Sequence, residues 1–189
     1  TARRVRKGLS MLQTKDSVLL LIDVQGKLAE LMHEKAELYH QLQILLRGTR
    51  ALDVPILWLE QYPKGLGPTV PEIAQVLAGL EPIEKICFSA YGSDHVRQAL
   101  ADSGRRTAIL AGIEAHVCVY QTACDLLNTG FGVEVVRDAV SSRTVANRQA
   151  GLERMAGIGA GMTTVEMLLF EWLGSADVPA FKEISRLVR

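Results

Sequence analysis

Ala108-Ile-Leu-Ala-Gly-Ile-Glu-Ala-His-Val-Cys118-Val-Tyr-Gln-Thr-Ala-Cys-Asp-Leu-Leu127 opens as a continuous apolar run and crosses a short segment that starts at Gly112. It then continues with helical spacing, apolar side chains recurring at Val117, Tyr120, Ala123, Cys124 and Leu127. A buried strand therefore hands over to a helix, with Cys118 at the junction. Amide N–H groups at a helix start lack intrahelical partners and carry partial positive charge, which favours a thiolate. Such a position is one way to make a cysteine nucleophilic. A small buried core residue is the other reading. Position alone does not separate the two.

Upstream, Ser17-Val-Leu-Leu-Leu-Ile-Asp23 is a second apolar run, rich in branched residues and ending in an acid. It reads as a central strand buried on both faces, the habit of parallel sheets. Asp23 then falls where open α/β sheets bind ligands, although Asp is also a common turn residue and helix cap. Gln25 follows two residues later. A helix is expected from Leu38 to Thr49, and a strand over Pro55–Glu60. Gln61–Pro68 carries two Pro and two Gly and reads as a loop. Thr69 and Glu72 form a Thr-x-x-Glu start for a helix to Leu80. Lys85 lies inside an apolar stretch that runs to Tyr91, and Ser93 is placed as the cap of the next helix. Beyond Cys118 the chain offers a fifth strand at Gly132–Asp138, a loop over 139–143 and a helix over 148–155. A weak sixth strand leads into Thr163, and helices at 165–173 and 181–188 close the chain. His33 and His40 stand about 10 Å apart along a helix, too far to share a metal ion, and are placed on the surface. Strands alternating with helices throughout give an α/β fold: three α/β/α layers around a six-stranded, mainly parallel, Rossmann-like sheet.

At 189 residues the chain is read as one domain, 1–189, with a basic extension over 1–15. Lys+Arg and Asp+Glu both number 21, so nothing supplies the basic excess that a nucleic acid or an anionic membrane requires. Neither is expected as a partner. Three cysteines are an odd number in a chain long enough to need no staples, which points to free thiols in a reducing compartment. A cytoplasmic location follows. Arg3, Arg4, Arg6 and Lys7, with no acid among the first seven residues, raise a mitochondrial alternative.

Three strand ends thus offer an acid, a lysine and a thiol in the order Asp23, Lys85, Cys118. A carboxylate can take the thiol proton, while a nearby ammonium favours the thiolate and orients the acid. Lys85 could equally be a solvent-facing lysine beside Glu84. His116 lies too close to Cys118 in a tight connection to serve as its base. Cys124 is about 240° round the helix from Cys118, which argues against a redox pair.

This set resembles the isochorismatase-like cysteine hydrolases, a family that includes nicotinamidases and related amidases. The resemblance rests on Leu20-Leu-Ile-Asp-Val-Gln25, on Lys85 with Phe88-Ser-Ala-Tyr91, and on Gly112-Ile-Glu-Ala-His-Val-Cys118 with Thr122. It spans about Ser17 to Leu187. Glu60-Gln-Tyr-Pro-Lys-Gly-Leu-Gly67 and Phe181-Lys-Glu-Ile184 bring it nearest the isochorismatase domain-containing branch. The resemblance implies Cys118 as nucleophile, Asp23 as general base and Lys85 as orienting cation. It also implies a cis peptide at Ile113–Glu114, with the N–H groups of Glu114 and Cys118 forming an oxyanion hole.

Two departures shape the functional expectation. The Asp-x-His-His metal cluster of nicotinamidases has no counterpart in Glu60–Gly65, which holds no histidine. No metal or cofactor is therefore expected. Family members that cleave a vinyl ether need no thiol, so Cys118 favours acyl transfer from a small amide through a thioester. Isochorismatase chemistry and a non-catalytic binding or regulatory role remain the alternatives. Gln25, Tyr62, Phe88, Tyr91 and Tyr120 are the candidates for a small-molecule pocket. A homo-oligomer, dimer or tetramer, is expected from the family and from the apolar helix around Leu168–Leu173.

Overall fold

The computed structural model describes residues 11–189, so the basic terminal segment lies outside the described residues for all but its last five positions. Among the described residues six strands form one sheet: β1 (Ser17–Ile22), β2 (Ile56–Gln61), β3 (Ile83–Lys85), β4 (Thr107–Ile113), β5 (Gly132–Ser141) and β6 (Gly161–Thr163). Their order is β3-β2-β1-β4-β5-β6, and every pairing is parallel. The helices are α1 (Gly26–Glu30), α2 (Lys35–Ala51), α3 (Pro63–Leu66), α4 (Pro71–Ala74), α5 (Asp94–Ser103), α6 (Tyr120–Asn128), α7 (Val145–Gly157), α8 (Val165–Leu173) and α9 (Phe181–Leu187).

The β1 residues show why the sheet is covered on both sides. Successive side chains of a strand point to opposite faces. Leu19 and Leu21 join one core with α2, α8 and α9, whereas Val18, Leu20 and Ile22 join another with α5, α6 and α7. All six residues of β1 are buried. The result is three layers, as the sequence implies. The chain winds outward from β1 through β2 to β3, then returns to lay β4 on the other side of β1. Outside the carboxyl ends of β1 and β4 the strand order reverses, and such a crevice is where open α/β sheets place their ligands.

Some local expectations fail for identifiable reasons. The helix expected over 69–80 is only α4 followed by a 3₁₀ turn at Gln75–Leu77. Thr69 does not cap it, because its hydroxyl donates to Glu60 Oε1 (2.7 Å) and accepts from Trp58 Nε1 (2.7 Å). The loop expected over 139–143 is strand as far as Ser141, since Val140 and Ser141 pair with Gly112 and Ile113. The Gln61–Pro68 loop contains the single turn α3. Ser93 precedes α5 without a side-chain cap bond, whereas Thr144 caps α7 by accepting from Asn147 N (3.2 Å).

Candidate active site

Asp23 leaves β1 with a left-handed backbone (φ 55°), a conformation that Asp tolerates better than most residues. That turn carries its carboxylate to the end of the sheet. Lys85 closes β3, and its ammonium donates to Asp23 Oδ2 at 2.7 Å and to the carbonyls of Cys87 (3.2 Å) and Phe88 (3.3 Å). Both side chains are buried, so Lys85 is not the solvent-facing lysine that its neighbour Glu84 suggests.

Cys118 arrives from β4. Gly112 lets β4 lie against β1 at that point: it has φ +111°, and a Cβ there would sit 2.1 Å from the Ile22 carbonyl oxygen. The Ile113–Glu114 peptide is cis. Ala115–Val119 then forms a π-turn, in which Val119 N–H reaches back five residues to the Glu114 carbonyl (3.2 Å). Single π-turns of this kind recur at functional sites. Gly151 of α7 packs on this turn so closely that a Cβ would fall 2.7 Å from the Ala115 carbonyl carbon. Thr122 Oγ1 donates to the Cys118 carbonyl (2.7 Å) and accepts from Ala90 N (2.9 Å), tying the turn to the segment after β3. Strand, π-turn and helix together fix the sulfur.

The electrostatics correct one expectation. Burial pushes the Cys118 thiol well above its ordinary pKa; Asp23 adds to the rise, and Lys85 only partly opposes it. The ammonium is committed to Asp23, so its positive charge reaches the sulfur largely cancelled. Neither the helix start nor Lys85 makes Cys118 a thiolate at rest. Asp23 is also raised, first by burial and against the pull of Lys85. A raised carboxylate is a stronger base. The arrangement thus suits proton transfer from thiol to carboxylate more than a standing thiolate.

The expected pocket residues separate. Gln25 is fully buried and its carboxamide is spent on the backbone: Nε2 donates to Gln61 O (3.1 Å) and Gly67 O (2.7 Å), and Oε1 accepts from Gln61 N (2.6 Å). It positions β2 and the following loop and has nothing left for a substrate. Tyr91 lines a cavity of about 270 Å³ along α5 with Leu100, Arg105 and Phe131, away from the thiol. Tyr120 faces α7, with the Arg154 guanidinium 4.5 Å from its ring centroid. Tyr62 and Phe88 stay at the carboxyl ends of β2 and β3 and are half exposed.

The Gln61 carboxamide and the Arg143 partner of Glu114 escape a reading of the sequence. Cys118 Sγ donates to Gln61 Oε1 at 3.2 Å. Glu114 Oε1 accepts from both the Arg143 backbone N and its Nε, each at 3.1 Å, and holds the segment after β5 against the junction. Glu60, the carboxylate in the stretch where nicotinamidases bind metal, is occupied by Thr69 N and Oγ1. Among the described residues no three His, Cys, Asp or Glu side chains stand together as a metal set. No helix among them is long and apolar enough to cross a membrane.

The isochorismatase domain matches residues 17–167. The chain belongs to the isochorismatase family. Isochorismatase domain-containing protein 2 of Homo sapiens is 39% identical over 185 residues, covering 97% of this chain and 88% of that protein. Among solved structures, the MAR1 ribonuclease of Caenorhabditis elegans superposes with a TM-score of 0.88 at 38% identity, covering 95% of this chain and 92% of that one. YcaC from Pseudomonas aeruginosa, solved with hexane-2,5-diol and covalent acrylamide, gives 0.86 at 25% identity, with 93% and 90% covered. The family supports a hydrolase as the general class.

Proposed function

We propose that this isochorismatase-family chain is a metal-independent cysteine hydrolase that cleaves the C–N bond of a small amide through a thioester on Cys118. The observation that carries the reading is the buried set of Cys118, Asp23 and Lys85 at the sheet's reversal point, joined by the 2.7 Å Lys85–Asp23 bond. Asp23 takes the thiol proton as sulfur attacks the carbonyl carbon. The N–H groups of Glu114 and Cys118 receive the developing oxyanion. Asp23 then returns the proton to the departing amine, and the same carboxylate activates water to hydrolyse the thioester. Lys85 holds Asp23 in register through its Oδ2, leaving Oδ1 to handle the proton. Tyr62 and Phe88, half exposed at the carboxyl ends of β2 and β3, are the proposed substrate contacts. The covalent acrylamide of the P. aeruginosa relative supports a nucleophile in this fold.

A ribonuclease reading is prompted by the C. elegans relative. Equal numbers of acids and bases give this chain no overall attraction for a polyanion, so it ranks second. The test compares the parent with Cys118→Ala on a panel of small amides, isochorismate and single-stranded RNA. Amide turnover is expected in the parent only. Turnover of isochorismate retained in the alanine variant would transfer the function to vinyl-ether chemistry, and RNA cleavage would establish the second reading.

Self-association fits the same reading. Met167 and Phe170 of α8 are exposed apolar side chains on the outer face of a helix whose Val165, Leu168, Leu169, Trp172 and Leu173 are buried. A homo-oligomer is expected in light scattering at micromolar concentration, and a monomeric mass would contradict it.

A further inference from the structure

The contact between Cys118 and Gln61 has a consequence for when the nucleophile becomes active. A thiol has one proton to donate. It lies within reach of the Asp23 carboxylate, yet its geometry directs it to Gln61 Oε1. Lys85 occupies Asp23 Oδ2, and Asp23 Oδ1 is left buried with no hydrogen-bond partner. A buried carboxylate oxygen without a partner calls for an explanation, and a proton it is waiting to receive is one.

The orientation of the Gln61 carboxamide is set from its other side. Its Nε2 donates to the Ile86 carbonyl at 3.3 Å, and a carbonyl can pair only with the NH₂ group. The oxygen must therefore face the sulfur. An acceptor oxygen favours S–H and repels a sulfur anion. The Gln61 backbone is held separately by Gln25, so the side chain can turn without loosening β2. Gln61 is also half exposed where the other three residues are buried, so an incoming molecule meets it first.

We propose that Gln61 is a latch on the nucleophile: its carboxamide oxygen keeps the Cys118 proton in the unliganded protein, and a substrate must displace it before Asp23 can act. The step balances simply. The S–H···Oε1 contact and the S–H bond break, the proton passes to Asp23 Oδ1, the sulfur electron pair forms the bond to the substrate carbonyl carbon, and the C=O π pair moves onto the carbonyl oxygen as the oxyanion. The latch rests on the cysteine-hydrolase reading but is tested without turnover.

The charged groups around the sulfur are Asp23 from β1, Lys85 from β3 and Glu114 from the end of β4, with Glu60 acting on Asp23. His116, on the same turn, has its Nδ1 at 3.0 Å from Ser142 Oγ. None of these is altered by a change at Gln61.

The experiment measures peptide-resolved iodoacetamide labelling of Cys118 against pH in the parent, Gln61→Ala and Gln61→Glu. Alanine removes the acceptor and admits water, so the labelling limb is expected to move down by about one pH unit, a roughly tenfold gain at neutral pH. Glutamate offers a stronger acceptor and a second negative charge, and the limb should move up. A wider entrance alone would raise the plateau rate at high pH and leave the limb where it is. Limbs unmoved, or moved in the same direction by both variants, would overturn the proposal. Should the alanine variant fail to fold, Gln61→Asn retracts the oxygen by one methylene and must lower the limb in its place. A parent that hydrolyses nothing leaves this measurement intact, and a failed latch leaves turnover intact.

Discussion

Two carboxylates flank Cys118, each with a cationic partner, and their surroundings differ. Asp23 and Lys85 are sealed, with side chains 2% and 0% exposed. Glu114 is 8% exposed, but its partner Arg143 is 54% exposed and reaches solvent. In the first pair one carboxylate oxygen is bound and the other has no partner. In the second, a single oxygen accepts two bonds from Arg143 and acts as a clasp on the segment after β5. Both negative charges raise the thiol pKa. In the proposed mechanism the sealed pair receives the proton. On the proposed reading Asp23 is the base and Glu114 the brace, and what separates them is the burial of the cation and the unpartnered Asp23 Oδ1.

Removing the cation from each pair sharpens this contrast. Lys85→Met should have the larger effect, because it strands a buried carboxylate; breaking such a pair costs about 3–5 kcal/mol. Without the ammonium, Asp23 rises further above its ordinary value of 3.8. The folded state then binds the proton more tightly than the unfolded chain, so stability is greatest in acid and falls as pH climbs from about 4 toward the folded pKa. Denaturant unfolding at several pH values checks this, and a loss that does not vary with pH would contradict it. The same variant should have no measurable turnover near neutrality. In the parent, the acid limb of kcat/KM should lie above the ordinary carboxylate range, because burial raises Asp23 and the base must be ionised.

Arg143→Met should do far less. Its half-exposed guanidinium is screened, and the Arg143 backbone N–H still reaches Glu114. A loss of about 1 kcal/mol or less is expected, shrinking further in high salt. Unfolding measured at low and high ionic strength checks it. A loss matching that of Lys85→Met would erase the distinction between base and brace.

The sequence is most legible where one physical rule acts alone. β1 and β4 are apolar without interruption because both faces are covered, and that pattern places Asp23 and the Cys118 junction at strand ends. Legibility fails where two groups compete for one partner. Thr69 has the spacing of a capping box, but Glu60, distant from Glu72 in the chain, takes its hydroxyl. Gln25 and Tyr120 are polar or aromatic residues near site motifs, and their side chains are claimed by the β2 backbone and by Arg154. The sign of the thiol shift depends on whether the Lys85 ammonium is free or already paired, which no spacing reveals. Gln61 opens a Pro- and Gly-rich loop, where no periodicity marks a side chain that reaches 57 positions ahead to a sulfur.

The central claim is that Cys118 carries the acyl group. Incubating the parent with a panel of small amides, quenching in acid and mapping peptides by mass spectrometry tests it most directly. The account predicts, for at least one amide that is turned over, a mass increase equal to its acyl group on the peptide containing Cys118, absent in Cys118→Ala. Turnover of an amide with Cys118 unmodified at every quench time, and undiminished in Cys118→Ala, would contradict it.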